Sequence, residues 1–377
     1  MIALGKKLSI ENRMRNLQKR KATESKTIPN SERLIEGTAL CLSGGGFRAM
    51  LFHLGVLIRL NEIGILSKLA QVSSVSGGSI VAAYLGWKWE KLRFGSKGIA
   101  SNFREEIVIP LIKFSEERCL DLKSMAKGFL IPGLVNRSLR DSYDRLLFGG
   151  VRLSSLPEKP KFVFHASNLN TGSLWKFTKG EFSDWKGISI RGLDLKLSEI
   201  VAASSSFPPF LSPYVLSLRK ASKNKTTEGM DKIVLVDGGV YDNFGVESAL
   251  KKYKTIYISD GGAPYETKAR QGKNWFSQLL RVIDTLELQI RNLRLRQMHE
   301  LFSSGRRKGG FLSIAGSSRI LDKVLDYDGW DGSNVASLPT RLDRIRESDR
   351  SQLINWGYKV AFFTIGKAKR SEFKYPF

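Results

Sequence analysis

The stretch Leu40-Cys41-Leu42-Ser43-Gly44-Gly45-Gly46-Phe47-Arg48-Ala49 passes from an apolar segment through three glycines into a run of helical pattern. About one helix later, residues 69–74 lead into Val75-Ser76-Gly77-Gly78-Ser79. Each reads as a strand, a tight glycine turn and a helix. The first helix is expected over about 47–63, with Met50, Leu51, Leu54, Leu57 and Ile58 at helical spacing. The second runs through Ile80, Val81, Tyr84 and Leu85. Strand–helix–strand–helix with short links predicts a parallel sheet and the α/β class.

Working outward, residues 1–37 form a basic polar leader, with Leu8, Ile10, Met14 and Leu17 able to line one side of a helix. Residues 87–150 are mostly helical in pattern and suggest a cap. Strands are expected at 161–166, 174–177, 233–236 and 255–259, and a helix at 197–204. A long helix follows at about 274–302. Its apolar face is read as Trp275, Leu279, Val282, Ile283, Leu286, Ile290, Leu293 and Leu301, with Arg281, Arg291, Arg294 and Arg296 on its outer side. A last helix is expected at about 347–360. The division is thus a leader, a catalytic domain at 38–262 and a basic helical region at 263–377 packed on the same domain.

The chain has 377 residues, enough to bury a substantial core. Its formal charge of +25 concerns partners rather than fold, and points to anionic membrane surfaces or nucleic acid. Two cysteines, Cys41 and Cys119, exclude a disulfide framework and fit a reducing compartment. Three histidines in no metal-type spacing make a zinc site improbable. No secretory h-region and no apolar run near the roughly 20 residues of a spanning helix is found. The expected location is cytoplasmic, touching a membrane from its inner face.

Serine is a weak nucleophile until a fixed geometry and a base activate it. A strained strand-to-helix turn supplies the geometry and needs small neighbours. The pattern Ser74-x-Ser76-x-Gly78 departs from G-x-S-x-G only at its first position. Ser73, Ser74 and Ser79 compete, but Ser76 sits at the apex with Gly78 two residues on. Gly44, Gly45 and Gly46 offer backbone N–H donors at a helix N-terminus for a tetrahedral oxyanion. The same loop also fits G-x-G-x-x-A, a looser dinucleotide pattern, although the second strand ends in Ser73-Ser74 with no acid to hold a ribose. Arg48 is placed to bind a phosphate or to brace the loop. No histidine sits in a convincing loop to serve as base. Asp237 ends a buried strand and is followed by Gly238 and Gly239; alone it reads as an ordinary Asp-Gly turn, but beside the other two motifs it reads as the base.

These residues resemble the patatin-like phospholipase family. The glycine loop is matched by Gly44-Gly45-Gly46-Phe47-Arg48, the elbow serine by Ser76 and the D-G-G/A motif by Asp237-Gly238-Gly239. Residues 202–208 (AASSSFP) look like the family's A-S-x-A-x-P block, and Tyr241-Asp242-Asn243-Phe244-Gly245 like its D-N-x-G continuation. Ser43 stands where plant patatins have aspartate and is similar there to the cytosolic phospholipase branch. The likeness covers about residues 38–262.

The resemblance implies a three-layer α/β/α fold with a mostly parallel sheet. It also implies a Ser76–Asp237 dyad that hydrolyses phospholipid acyl esters without metal or cofactor. Gly78, Gly238, Gly239 and Arg48 would support it. An anionic phospholipid surface is the expected partner, met by Arg219, Lys220, Lys223 and Lys225 and by the basic cluster at 291–308. No nucleic-acid-binding signature appears, so nucleic acid is not expected. A regulatory ligand or a homo-oligomer stays open. So do an esterase or deacylase acting on other acyl esters, and a signal-activated membrane-degrading effector.

Overall fold

The computed structural model describes residues 34–120, 133–219, 227, 230–264, 272, 274–316, 332–365 and 373–377. Residues 1–33 of the basic leader, Lys220, Lys223 and Lys225, and part of the expected cap lie outside the described residues. Residues 36–377 form one compact unit.

The first strand shows why the architecture is layered. In β1 (Ile35–Leu42), Leu40 and Leu42 join the main apolar core, while Ala39 and Cys41 join a second, separate core. Side chains two apart share a face and successive ones oppose. An apolar strand with both sets buried therefore lies between two layers. The two helices predicted from the glycine turns are α1 (Gly46–Glu62) and α2 (Gly77–Lys88), and both pack in the main core.

β1, β2 (Leu69–Ser74) and β3 (Lys161–Asn168) are parallel. On the other side of β1 stand β9 (Tyr253–Asp260) and then β10 (Lys308–Ser313), which is parallel to β9. Beyond β3 the sheet turns antiparallel through β4 (Ser173–Thr178), β5 (Glu181–Asp184) and β6 (Ser189–Arg191). The class is mixed α/β, and the parallel half carries both glycine turns.

β8 (Lys232–Asp237) also pairs with β3, and β7 (Tyr214–Ser217) pairs with β8, both antiparallel. β4 occupies one edge of β3 from Phe164 to Asn168. β2 and β8 must therefore share the other edge in succession. β2 ends at Ser74 opposite Phe164, and Ala166 then faces Asp237.

Within the expected cap, Phe103, Ile107, Leu111 and Phe114 sit in the main core. Helix α3 (Leu134–Tyr143) packs on α4 (Leu197–Ser204). Short helix α5 (Gly239–Asp242) follows β8 at once. The long helix is α6 (Trp275–Ser303) and the last is α7 (Glu347–Thr364).

The sequence reading of α6 is corrected in its orientation. Arg291 and Arg294 face inward, whereas Trp275, Leu279, Val282, Leu286 and Leu293 are exposed. The cause is two carboxylates beneath the helix. Arg291 Nη2 lies 2.6 Å from buried Asp260, and Arg294 Nη2 lies 2.6 Å from Glu247. A carboxylate out of water needs a partner, and that demand outweighs the preference of leucine for the interior. Arg307 likewise turns in, to the carbonyl of Leu250.

α1 is buried nearly all round because α7 covers it. The two helices touch through glycines. A Cβ at Gly55 would collide with the carbonyl oxygen of Ile354, and one at Gly357 with that of Phe52. Alanine normally improves a helix by up to about 1 kcal/mol over glycine. Here the lost approach dominates, so Gly357→Ala is expected to cost roughly 1–3 kcal/mol, read as a lower denaturation midpoint. A stabilised Gly357→Ala would disprove the close crossing.

Candidate active site

Two helix N-termini meet here. Ser76 precedes α2 with φ 48° and ψ −118°, and is the one non-glycine residue with positive φ among the described residues. Such a backbone costs of order 1–3 kcal/mol and persists only where the surroundings enforce it. The enforcement is visible. The Ser76 N–H donates to Ser204 Oγ at 2.9 Å, and Ser204 Oγ in turn donates to the His165 carbonyl at 2.7 Å. The Gly78 N–H donates to the Ser43 carbonyl at 3.1 Å, and a Cβ at Gly77 would collide with the carbonyl of Gly46. The glycines after Ser76 therefore let the elbow lie directly on the glycine loop.

The competing serines are engaged elsewhere. Ser73 Oγ donates to the Gly245 carbonyl at 2.7 Å, and Ser79 Oγ donates to Ser74 Oγ at 3.0 Å. All three are fully buried, whereas Ser76 is partly accessible.

In the glycine loop, Gly45 and Gly46 have φ 137° and 61°, a region that side chains rarely adopt. The Gly44 N–H is already used, donating to the Asn243 carbonyl at 3.1 Å. The N–H groups of Gly45 and Gly46 make no bond within the described residues. Both stand at the start of α1, where the helix dipole favours negative charge.

Arg48 is buried beneath this loop. Its Nε donates to the Gly261 carbonyl at 3.1 Å and its Nη1 to the Leu338 carbonyl at 2.6 Å. Nη2 has no hydrogen-bond partner among the described residues and lies toward Gly45. Burial lowers its pKa to about 10, which Asp260 opposes and Arg291 reinforces, so the guanidinium is charged at neutral pH.

Asp237 is nearly inaccessible, and burial pushes its pKa up to about 7. The bond from the Gly239 N–H (2.7 Å) and the influence of the Ser76 side chain oppose that rise, and the charge of Glu287 on α6 adds to it. The structure thus brings Ser76, Asp237 and the glycine loop together. Gly238 and Gly239 permit the close turn: a Cβ at Gly238 would crowd the His165 carbonyl.

Two of the histidines are scaffold. His53 Nε2 donates to the Ser43 carbonyl at 2.9 Å, so Nδ1 accepts from Ser259 Oγ at 2.6 Å. Burial lowers the pKa of His53 to about 4 and of His165 to about 3, leaving both neutral.

Ser204 and Ser206 were not singled out by role in the sequence. Ser204 holds Ser76, and its own carbonyl accepts the Gly238 N–H at 3.4 Å; the Ser206 carbonyl accepts the Asp237 N–H at 3.0 Å. One segment therefore holds both motifs. Its match to the family's A-S-x-A-x-P block was the available signal.

A partly accessible serine on a strained turn near a buried carboxyl, in an α/β sheet, is an arrangement that serine hydrolases also use. The sequence profile of patatin-like phospholipases matches residues 40–250, more than half of the chain, and the chain belongs to that family. No curated protein matches it. Among solved structures it is similar to human GIVD cytosolic phospholipase A2 in complex with methyl gamma-linolenyl fluorophosphonate. There the identity is 15%, over 87% of this chain and 57% of that one, with a TM-score of 0.47. A second structure of the human enzyme gives 12% identity, over 59% and 45%, with a TM-score of 0.42. VipD from Legionella pneumophila gives 13% identity, over 86% and 66%, with a TM-score of 0.36. The chain thus spans roughly half to two thirds of the length of these proteins.

The raised pKa of Asp237 has a measurable effect on stability. It lies above the unfolded value of about 3.9, so the carboxyl's contribution to the fold is fully present below about pH 4 and is lost as pH rises through about 7. Asp237→Asn is therefore expected to gain stability on the wild type between pH 5 and pH 8, by a few kcal/mol at most. Denaturant unfolding across that range checks it; a gap that does not change with pH counts against a raised carboxyl.

Proposed function

We propose that this protein hydrolyses the acyl ester bonds of membrane phospholipids with Ser76 as nucleophile and Asp237 as base. The observation that carries the reading is the partly accessible, strained Ser76 set close enough to a buried carboxyl, whose pKa stands at about 7, for its side chain to act on that pKa. Membership of the patatin-like phospholipase family supports the choice of a lipid ester.

The steps follow from the geometry. Ser76 Oγ attacks the ester carbonyl carbon while Asp237 accepts its proton. The carbonyl oxygen becomes an oxyanion, held by the N–H groups of Gly45 and Gly46 at the positive end of α1. Gly44 acts by its small size, since its N–H is already bonded. Arg48 braces the loop from below and adds a buried positive charge. The intermediate collapses, the C–O bond to the alcohol breaks, and Asp237 returns the proton to the departing lysophospholipid. Water then attacks the acyl-serine with Asp237 again as base, releasing the fatty acid and restoring Ser76.

A carboxylate near pKa 4 is too weak a base for this work at neutral pH, and desolvation corrects that. The proton-free form is required, so kcat/KM is expected to fall about tenfold per pH unit below about 7 and to level off above it.

The direct test is fatty-acid release from mixed phosphatidylglycerol and phosphatidylethanolamine liposomes. Ser76→Ala and Asp237→Asn are each expected to lower kcat/KM at least about a thousandfold. Release that survives Ser76→Ala would refute the assignment. A wild type active only on a soluble p-nitrophenyl ester would move the substrate class to other acyl esters.

A further inference from the structure

α6 is 29 residues long and only Met298 on it is buried. Its inner face carries Glu287, Arg291 and Arg294. The first acts on Asp237, and the arginines bind Asp260 and Glu247. Its neighbour is α5, the helix that begins two residues after Asp237. The helix therefore lies beside the candidate active site.

Its outer face is apolar. Trp275, Leu279, Val282, Leu286, Ile290 and Leu293 recur at intervals of four, three, four, four and three, which at 100° per residue keeps them in one sector about 80° wide. Their relative exposures run from 38% at Ile290 to 74% at Trp275. The stripe is about 27 Å long, at 1.5 Å per residue. Phe276, also exposed, stacks edge-on with Trp275 at the N-terminal tip. At the other end stand exposed Arg296, Arg306 and Lys308.

We infer that the outer face of α6 is a membrane-docking surface that lies flat in the headgroup region of an anionic bilayer and sets the active site against it. The inference takes its lipid partner from the function proposed above. Charge selects the occupant. Two copies of a +25 chain repel when their faces join, whereas an anionic bilayer is complementary. The chemistry of the stripe fits as well: an aromatic pair at one end, aliphatic side chains along the middle and cations at the other end are what an interfacial helix presents. The arginines at 291 and 294 anchor the helix to the protein and Arg306 pairs with Glu300, so the charge that reaches lipid is that of Arg296 and Lys308. No helix among the described residues is long and apolar enough to cross a membrane, so contact here is from one side.

The test uses the full chain carrying Ser76→Ala, so that binding is read without turnover. Co-sedimentation is measured with vesicles of phosphatidylglycerol and phosphatidylcholine and with phosphatidylcholine alone. The parent is expected to bind the anionic vesicles. Adding Leu279→Gln, Leu286→Gln and Leu293→Gln together is expected to weaken binding at least about tenfold, with circular dichroism and melting unchanged because all three side chains are exposed. Trp275 fluorescence, isolated as the difference from Trp275→Phe, is expected to shift blue on binding. Undiminished vesicle binding by the triple variant overturns the inference. So does a parent that ignores vesicles but sediments as a dimer that the triple variant dissolves, which would make a second copy the occupant. Vesicle binding by a protein whose Ser76 form releases no fatty acid would refute the proposed reaction and leave the docking surface standing.

Discussion

One edge of β3 is shared by two strands, and the site depends on that sharing. β2 runs parallel along it and leaves at Ser74; β8 arrives antiparallel and ends at Asp237, opposite Ala166. A strand has only two edges, and β4 holds the other. The turns that carry Ser76 and Asp237 are thus forced together in the gap between two strand ends. Their chain separation of 161 residues is irrelevant to their distance in space. Sheet hydrogen bonds fix this register, and they are among the most rigid links a protein can use. The segment at Ser204–Ser206 then pins each turn from the same side.

Electrostatics around this gap is set by burial more than by charge pairing. Asp237 has no cation among the influences on its pKa; loss of water is the main cause that lifts it to about 7, with a smaller push from Glu287. The positive side of the site is organised separately. Arg48, Asp260 and Arg291 form a buried cation–anion–cation series under the glycine loop, with Gly261 as its backbone link: its carbonyl takes Arg48 Nε, and its N–H donates to Ser43 Oγ at 2.8 Å. A shift of α6 would be felt at the glycine loop through this series.

Sequence patterns carried the chemistry-bearing elements well, because each combines an apolar run with a glycine signal. β2 (69–74) and α4 (197–204) fall where the pattern places them, and α1 is displaced by one residue. The strands at 181–184, 189–191 and 214–217 were missed; they are three or four residues long and partly exposed, so they show no sustained alternation. β10 was hidden too, since Lys308-Gly309-Gly310 looks like the end of a helix and pairs only because β9 offers a free edge. The orientation of α6 was illegible for a different reason. Periodicity reports that an apolar stripe exists but not which way it turns, and Asp260 and Glu247, far away in sequence, decide that. At the site, Ser76 and Asp237 could be picked out from their motifs, but the bond already made by the Gly44 N–H could not. It goes to the carbonyl of Asn243, which only the folded chain brings near.

The two cysteines give the protein an internal gauge of its own integrity. Cys41 lies in the second core on β1, and Cys119 is buried in the main core. Burial pushes both thiols up to about 12, so at neutral pH only about one in 10⁵ is ionised. Since only the thiolate reacts, alkylating agents find no target while either layer stays closed. The rate at which label enters Cys41 against Cys119 would report the opening of each face of the sheet separately, with no engineered probe.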